Sequence, residues 1–252
     1  MGRLAACGVQ FHYEEEGVGE PLLWIPGAFG TGMGDFKDQL GVLSKHFHQI
    51  APDPRGYGQS RPPVRDFPLN FLDRDAEDMA SLMSALGHAK FAVAGWSDGA
   101  NTAVLLALTS PHRVEKLVIW GGNACLTGAD MVALDGIRSI SSWSERRRNP
   151  LEEAYGKDLL RLWKEYCDTT AAIYRRGGEL YRRPLGEIHC PTLILHGGKD
   201  PLIDDFHPYT FSKSIPDSRL YVFPEGKHNI QSRYATEFNR VVLDFLSERS
   251  HR

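Results

Sequence analysis

Three side chains able to share one proton occur in the order Ser97, Asp200, His228. Ser97 lies in Gly95-Trp96-Ser97-Asp98-Gly99, the G-x-S-x-G spacing of a nucleophile elbow, where glycines on both sides of the serine let the backbone bend sharply and lift the hydroxyl clear of a sheet. A serine hydroxyl is a poor nucleophile until an imidazole takes its proton and a third group orients that imidazole. Taken singly, the pentapeptide resembles an ordinary turn, Asp200-Pro201 another, and His228 a loop histidine. Together, each just past a predicted strand, they point to acyl transfer, with Ser97 as nucleophile, His228 as base and Asp200 as its orienter. The N–H of Ala28, in the loop Pro26-Gly27-Ala28-Phe29-Gly30, and the N–H of Asp98 are the natural donors to the oxyanion such a reaction creates.

These residues need a scaffold, and the apolar patterning supplies one. Val9 to Glu14 alternates like an edge strand. Pro21 to Ile25, Phe91 to Ala94, Lys116 to Trp120 and Pro191 to His196 are continuous apolar runs, as in strands buried on both faces. Gln49 to Ala51 and Ser218 to Phe223 add further strands. Helical spacing covers Phe36 to Leu43, Asp73 to Leu86, the stretch after the elbow with Ala103, Leu105, Leu106 and Leu108, and Tyr234 to Leu246. The alternation predicts an α/β chain with a mostly parallel, doubly wound sheet of about eight strands, whose ligands bind at the carboxyl ends of the strands.

From Asn123 to Leu185 the pattern is helical, without a clear strand. It reads as a cap inserted after the sixth strand, with residues 1–122 and 186–252 forming the core. Its aromatics, Trp143, Tyr155, Trp163, Tyr166, Tyr174 and Tyr181, are expected to pack the cap itself. The charge run Ser144-Glu-Arg-Arg-Arg-Asn149 reads as a solvated face, and Arg55, in Asp53-Pro-Arg-Gly-Tyr-Gly58, as a brace between loops.

Composition narrows the function further. The 252 residues carry a formal net charge of -3, so no basic field recruits nucleic acid. No apolar run reaches the roughly 18 residues that cross a bilayer. Cys7, Cys125, Cys167 and Cys190 form no C-x-x-C pair, and His46 and His48 have no companions suggesting a metal site. The amino terminus fits neither a signal peptide nor a myristoylation pattern. A cytoplasmic protein is therefore expected, with a mitochondrial protein whose targeting segment was removed as the alternative. A monomer that uses no metal or cofactor is the default.

Several stretches carry a more specific likeness. The elbow, Asp53-Pro-Arg-Gly-Tyr-Gly58 with Ser60-Arg-Pro-Pro63, Trp143-Ser-Glu-Arg146, His196-Gly with Lys199-Asp-Pro-Leu202, and Pro224-Glu-Gly-Lys-His-Asn229 resemble the valacyclovir hydrolase (biphenyl hydrolase-like) branch of the α/β-hydrolases. The likeness runs from about Val9 to Leu246. It implies the α/β-hydrolase fold and a serine hydrolase of α-amino acid esters, including amino acid ester prodrugs, whose partner is a small ester with a free α-amino group. In that branch the aspartate after the nucleophile selects the amino group, which falls on Asp98. Without the resemblance, Asp98 reads equally as an acid placed at a helix start. Gly136, Ile137 and Leu202 are implied to line the acyl or leaving-group pocket. The loop pair Ala28-Phe29 and the varied stretch Met131 to Asp135 depart from the pattern. Two rivals keep the chemistry, a general carboxylesterase and a carbon–carbon bond hydrolase of aromatic ring-cleavage products; a non-catalytic small-molecule receptor is a third.

Overall fold

The computed structural model describes residues 1–248. The chain opens with a hairpin, β1 (Gly2–Ala6) and β2 (Val9–Glu16), joined by Cys7 and Gly8. Both turn residues have positive φ, 47° and 73°, the backbone of a two-residue turn whose twist matches its strands. β1 has no counterpart in the apolar patterning, because none of its residues is fully buried and the turn signal is a lone X-Gly pair.

The order continues β3 (Glu20–Ile25), α1 (Gly32–Leu43), β4 (Phe47–Pro52), α2 (Phe71–Ala85), β5 (Phe91–Trp96), α3 (Asp98–Thr109) and β6 (Val114–Trp120). Three longer helices follow, α4 (Gly128–Gly136), α5 (Glu145–Tyr155) and α6 (Leu159–Arg175), without an intervening strand. The core elements resume with β7 (Thr192–Gly197), α7 (Phe206–Ser214), β8 (Ser218–Phe223), the one-turn α8 (Ile230–Arg233) and α9 (Ala235–Ser247). The eight strands form one sheet in the order β1-β2-β4-β3-β5-β6-β7-β8, parallel from β4 through β8 and antiparallel at β1 and β2.

Both faces of the sheet are covered, which is why its central strands read as unbroken apolar runs. On one face Leu22, Trp24, Val118, Trp120 and Leu195 meet Phe36 and Leu40 of α1 and Phe238 and Val242 of α9. On the other, Leu23, Val93, Leu117 and Ile194 meet α2, α3 and α7. Each fully buried aromatic or aliphatic side chain contributes about 1.5–3 kcal/mol of transfer free energy. The two central indoles also find acceptors: Trp24 Nε1 donates to Gln49 Oε1 at 2.9 Å, and Trp120 Nε1 to Gln231 Oε1 at 3.0 Å.

The brace expected of Arg55 is present. It donates to both carboxylate oxygens of Asp78 on α2 at 2.6 Å and to the Cys7 carbonyl at 3.0 Å, joining the 53–60 loop to α2 and the first hairpin. Arg65, which carries no signal in the sequence, is buried beside it and forks onto Asp75 at 2.6 and 2.7 Å. A buried guanidinium needs such a fork, because an unpaired charge out of water is costly.

Candidate active site

The elbow is dictated by contact distances. A Cβ on Gly95 would lie 2.2 Å from the Gly99 carbonyl oxygen, and one on Gly99 would lie 2.0 Å from that of Ile25. Only glycine lets α3 start directly against β3 and β5. Between them Ser97 takes φ 56° and ψ -124°, a backbone that L side chains seldom adopt. It is held there by Ser97 N–H to the Trp120 carbonyl and Ala100 N–H to the Ser97 carbonyl, both at 2.9 Å.

Ser97 Oγ lies 3.1 Å from His228 Nε2, and His228 Nδ1 lies 2.8 Å from Asp200 Oδ2. The other oxygen, Asp200 Oδ1, accepts the N–H groups of Leu202 and Ile203 at 2.9 and 3.3 Å, which aims Oδ2 at the ring. His228 is fixed from two further sides. Trp96 Nε1 donates to its carbonyl at 2.9 Å, and Gly121, at φ 64°, makes room for the ring, since a Cβ there would lie 2.9 Å from Cε1. The structure therefore brings Ser97 together with two side chains that lie more than a hundred residues further along the chain. With Nδ1–H donating to Asp200, Nε2 is free to accept the Ser97 proton, a geometry suited to nucleophilic attack on a carbonyl.

Ser97 and His228 open onto a cavity of about 840 Å³, also lined by Ala28, Asp98, Ile137 and Leu202. That volume suits a drug-sized ligand. The backbone N–H groups of Ala28 and Asp98 take no protein acceptor among the described residues. Gly136 is not brought to the cavity: it ends α4 exposed, with open space where a Cβ would stand, and its neighbour Ile137 lines the cavity instead. The implied lining role of Gly136 is corrected accordingly. Among the described residues no group of three or more His, Cys, Asp or Glu side chains is placed to hold a metal ion.

Asp98 sits in the cavity wall in an unusual electrostatic position. Its Oδ1 accepts a hydrogen bond from the Tyr166 hydroxyl at 3.2 Å, while its buried Oδ2 has no protein partner among the described residues. Burial pushes the carboxyl up to about 6, against the lowering effects of the Tyr166 hydroxyl and the distant Arg65 charge. A buried carboxylate oxygen is costly unless a hydrogen-bond donor or a cation meets it.

Three cavity residues escape sequence reasoning. Tyr166 belongs to the aromatics expected only to pack; Trp143, Tyr155 and Trp163 do pack, but Tyr166 also reaches Asp98. Arg147, within the run expected to be a solvated face, lines the cavity with its guanidinium 4.0 Å from the Trp143 ring centre. Asp35 lies in the first turn of α1 and accepts the Gly27 N–H at 3.1 Å. The carboxylate-to-loop contact of Asp35 had no motif to announce it, since helix starts commonly carry acids.

The chain is similar to known proteins along nearly its whole length. The α/β-hydrolase fold family matches residues 20–131 and 126–232. A human protein named "Serine hydrolase BPHL" is 46% identical over 248 residues, 97% of this chain and 85% of that protein. Its counterpart from Mus musculus matches at the same identity and coverage. Among solved structures, 2-hydroxy-6-oxo-6-phenylhexa-2,4-dienoate hydrolase from Rhodococcus superposes with a TM-score of 0.84 over 98% of each chain at 17% identity, a likeness of fold alone.

Proposed function

The chain belongs to the α/β-hydrolase family and is a serine hydrolase, and from that premise we propose that it cleaves α-amino acid esters, with Asp98 recognising the substrate ammonium. The observation that carries this reading is the unpartnered, buried Oδ2 of Asp98, one residue from Ser97 and in the same cavity wall. An ammonium placed there supplies both the missing hydrogen-bond donor and the countercharge. Removing one member of a desolvated charge pair costs on the order of 2–5 kcal/mol, which is large enough to define specificity.

The reaction proceeds in two acyl transfers. Ser97 Oγ bonds to the ester carbonyl carbon while its proton moves to His228 Nε2, and Asp200 keeps Nδ1–H in place and stabilises the imidazolium. The carbonyl oxygen, now an oxyanion, takes the free N–H groups of Ala28 and Asp98. The carbon–oxygen bond to the alcohol breaks, His228 returns its proton to that alcohol, and the acyl-enzyme remains. Water, deprotonated by His228, then releases the amino acid and restores Ser97.

The test compares kcat/KM for phenylalanine benzyl ester with that for its des-amino twin, 3-phenylpropionic acid benzyl ester, in wild type and Asp98→Asn. A preference of tens to thousands for the amino ester, collapsing in the variant, is the expected result. Equal rates on the two esters would leave a general carboxylesterase. A protein inert on both, but active on 2-hydroxy-6-oxo-6-phenylhexa-2,4-dienoate, the compound in the name of the Rhodococcus enzyme, would instead be a carbon–carbon bond hydrolase.

A further inference from the structure

The loop from Gly27 to Gly30 leaves the first parallel strand of the core and carries Ala28, so its position decides where the Ala28 N–H points. It is held at both ends. Gly30 N–H donates to the Gly27 carbonyl at 2.9 Å, closing a tight turn, and Gly27 N–H donates to Asp35 Oδ2 at 3.1 Å. The carboxyl is tucked under the turn so closely that a Cβ on Gly30 would lie 2.0 Å from Asp35 Oδ2. Behind it, Gly32 N–H donates to Asp53 Oδ1 at 3.2 Å, so two carboxyls from different elements clamp the same strand-to-helix passage. The loop also takes φ 63° at Phe29, a backbone that needs outside support in a residue with a side chain.

From this geometry we infer that Asp35 is a positioning residue for catalysis: its carboxyl fixes the Gly27 peptide and thereby aims the Ala28 N–H at the developing oxyanion. The inference rests on the reading of Ala28 as an oxyanion donor given above. The anchor's own charge is a liability beside a developing negative charge, and its surroundings reduce it. Burial, with repulsion from Asp53, pushes the Asp35 carboxyl up to about 7 in spite of the Gly27 hydrogen bond. A neutral acceptor of the same shape therefore does the same work. An oxyanion donor displaced by a fraction of an ångström loses most of its effect on the transition state while the ground-state ester binds as before.

The experiment uses a neutral ester, p-nitrophenyl propionate, so that the Asp98 carboxylate has no ammonium to recognise, and a trifluoromethyl ketone that forms a serine hemiketal and presents an oxyanion. Asp35→Ala, which removes the acceptor, is expected to lower kcat about tenfold or more with KM changed less than twofold, and to raise the ketone inhibition constant by the same factor. Asp35→Asn, which keeps an acceptor oxygen, is expected to restore kcat to within about threefold of wild type. Should Asp35→Ala fail to fold, Asp35→Ser, polar but too short to reach Gly27, replaces it under the same criteria. An unchanged kcat, a loss confined to KM, or a ketone affinity that does not move would overturn the assignment. A wild type that neither turns over the ester nor binds the ketone would instead sink the serine hydrolase mechanism itself, a separate result.

Discussion

The hydroxyl of Tyr166, on α6, donates to Asp98 Oδ1 at 3.2 Å, so the helices between β6 and β7 reach the first residue after the elbow serine. This contact leaves the second oxygen of Asp98 as the free one and favours the ionised carboxyl. Asp98 is thus a group whose charge state is set jointly by two parts of the chain far apart in sequence.

Tyr166→Phe removes that donor without changing the ring packing against Trp163 and Phe67. The ratio of kcat/KM for the amino ester over its des-amino twin is expected to fall about three- to tenfold, the size of one hydrogen bond of ordinary net strength, about 0.5–1.5 kcal/mol. Steady-state kinetics on the two benzyl esters checks it, and an unchanged ratio would mean that Tyr166 serves packing alone.

The same ratio should depend on pH in a bell shape. An ammonium pairs only with ionised Asp98, so the preference is lost as pH falls through about 6. It is lost again above about 8, where an α-amino group gives up its proton. Steps that the two esters share cancel in the ratio, which is why the ratio and not the rate should be followed from pH 5 to 9.

Specificity is bought here with stability. The folded-state pKa of Asp98, about 6, lies above the ordinary 3.8, so the protein binds this proton more tightly folded than unfolded. The destabilising cost of the ionised carboxylate is therefore fully present above about pH 6 and fades as pH falls through that value, vanishing below about 3.8. Asp98→Asn, which keeps the Tyr166 partner, should be more stable than wild type at pH 8 by on the order of 1–3 kcal/mol. The two proteins should converge near pH 4, a comparison that urea melts at both pH values can make.

At position 97 the side chain and the backbone ask for different things. Both Ser97→Ala and Ser97→Gly should remove nearly all esterase turnover. Glycine relieves the φ of 56° that alanine must still endure, so the glycine variant should be the more stable of the two by about 1 kcal/mol. Thermal melts of the pair decide this, and equal melting temperatures would show that the elbow is unstrained.

Gly99→Ala tests the close approach of α3 to β3. With only 2.0 Å available between the new Cβ and the Ile25 carbonyl oxygen, the helix start must move off the sheet. We expect a loss of more than about 3 kcal/mol, or no soluble protein. A variant that melts within a degree of wild type would show that α3 can shift freely.

The sequence by itself determined the sheet, its helices and the three residues around one proton. Those features are local or nearly so: apolar runs follow from burial on both faces, G-x-S-x-G from a turn that tolerates no Cβ, and Asp200 and His228 from their places just beyond strand ends. The hairpin at Cys7 and Gly8 escaped because β1 is an exposed edge with little apolar signal to read. Tertiary structure alone decided which polar groups face the cavity. Tyr166, Asp35 and Arg147 sit in patterns equally typical of packing, helix starts and solvated faces, and Gly136 in a pattern that suggested a lining it does not provide. Their roles follow from hydrogen bonds and burial between elements 8 to 68 residues apart, and the pKa of Asp98 follows from desolvation, which is a property of the surrounding volume and is not written in any neighbouring residue.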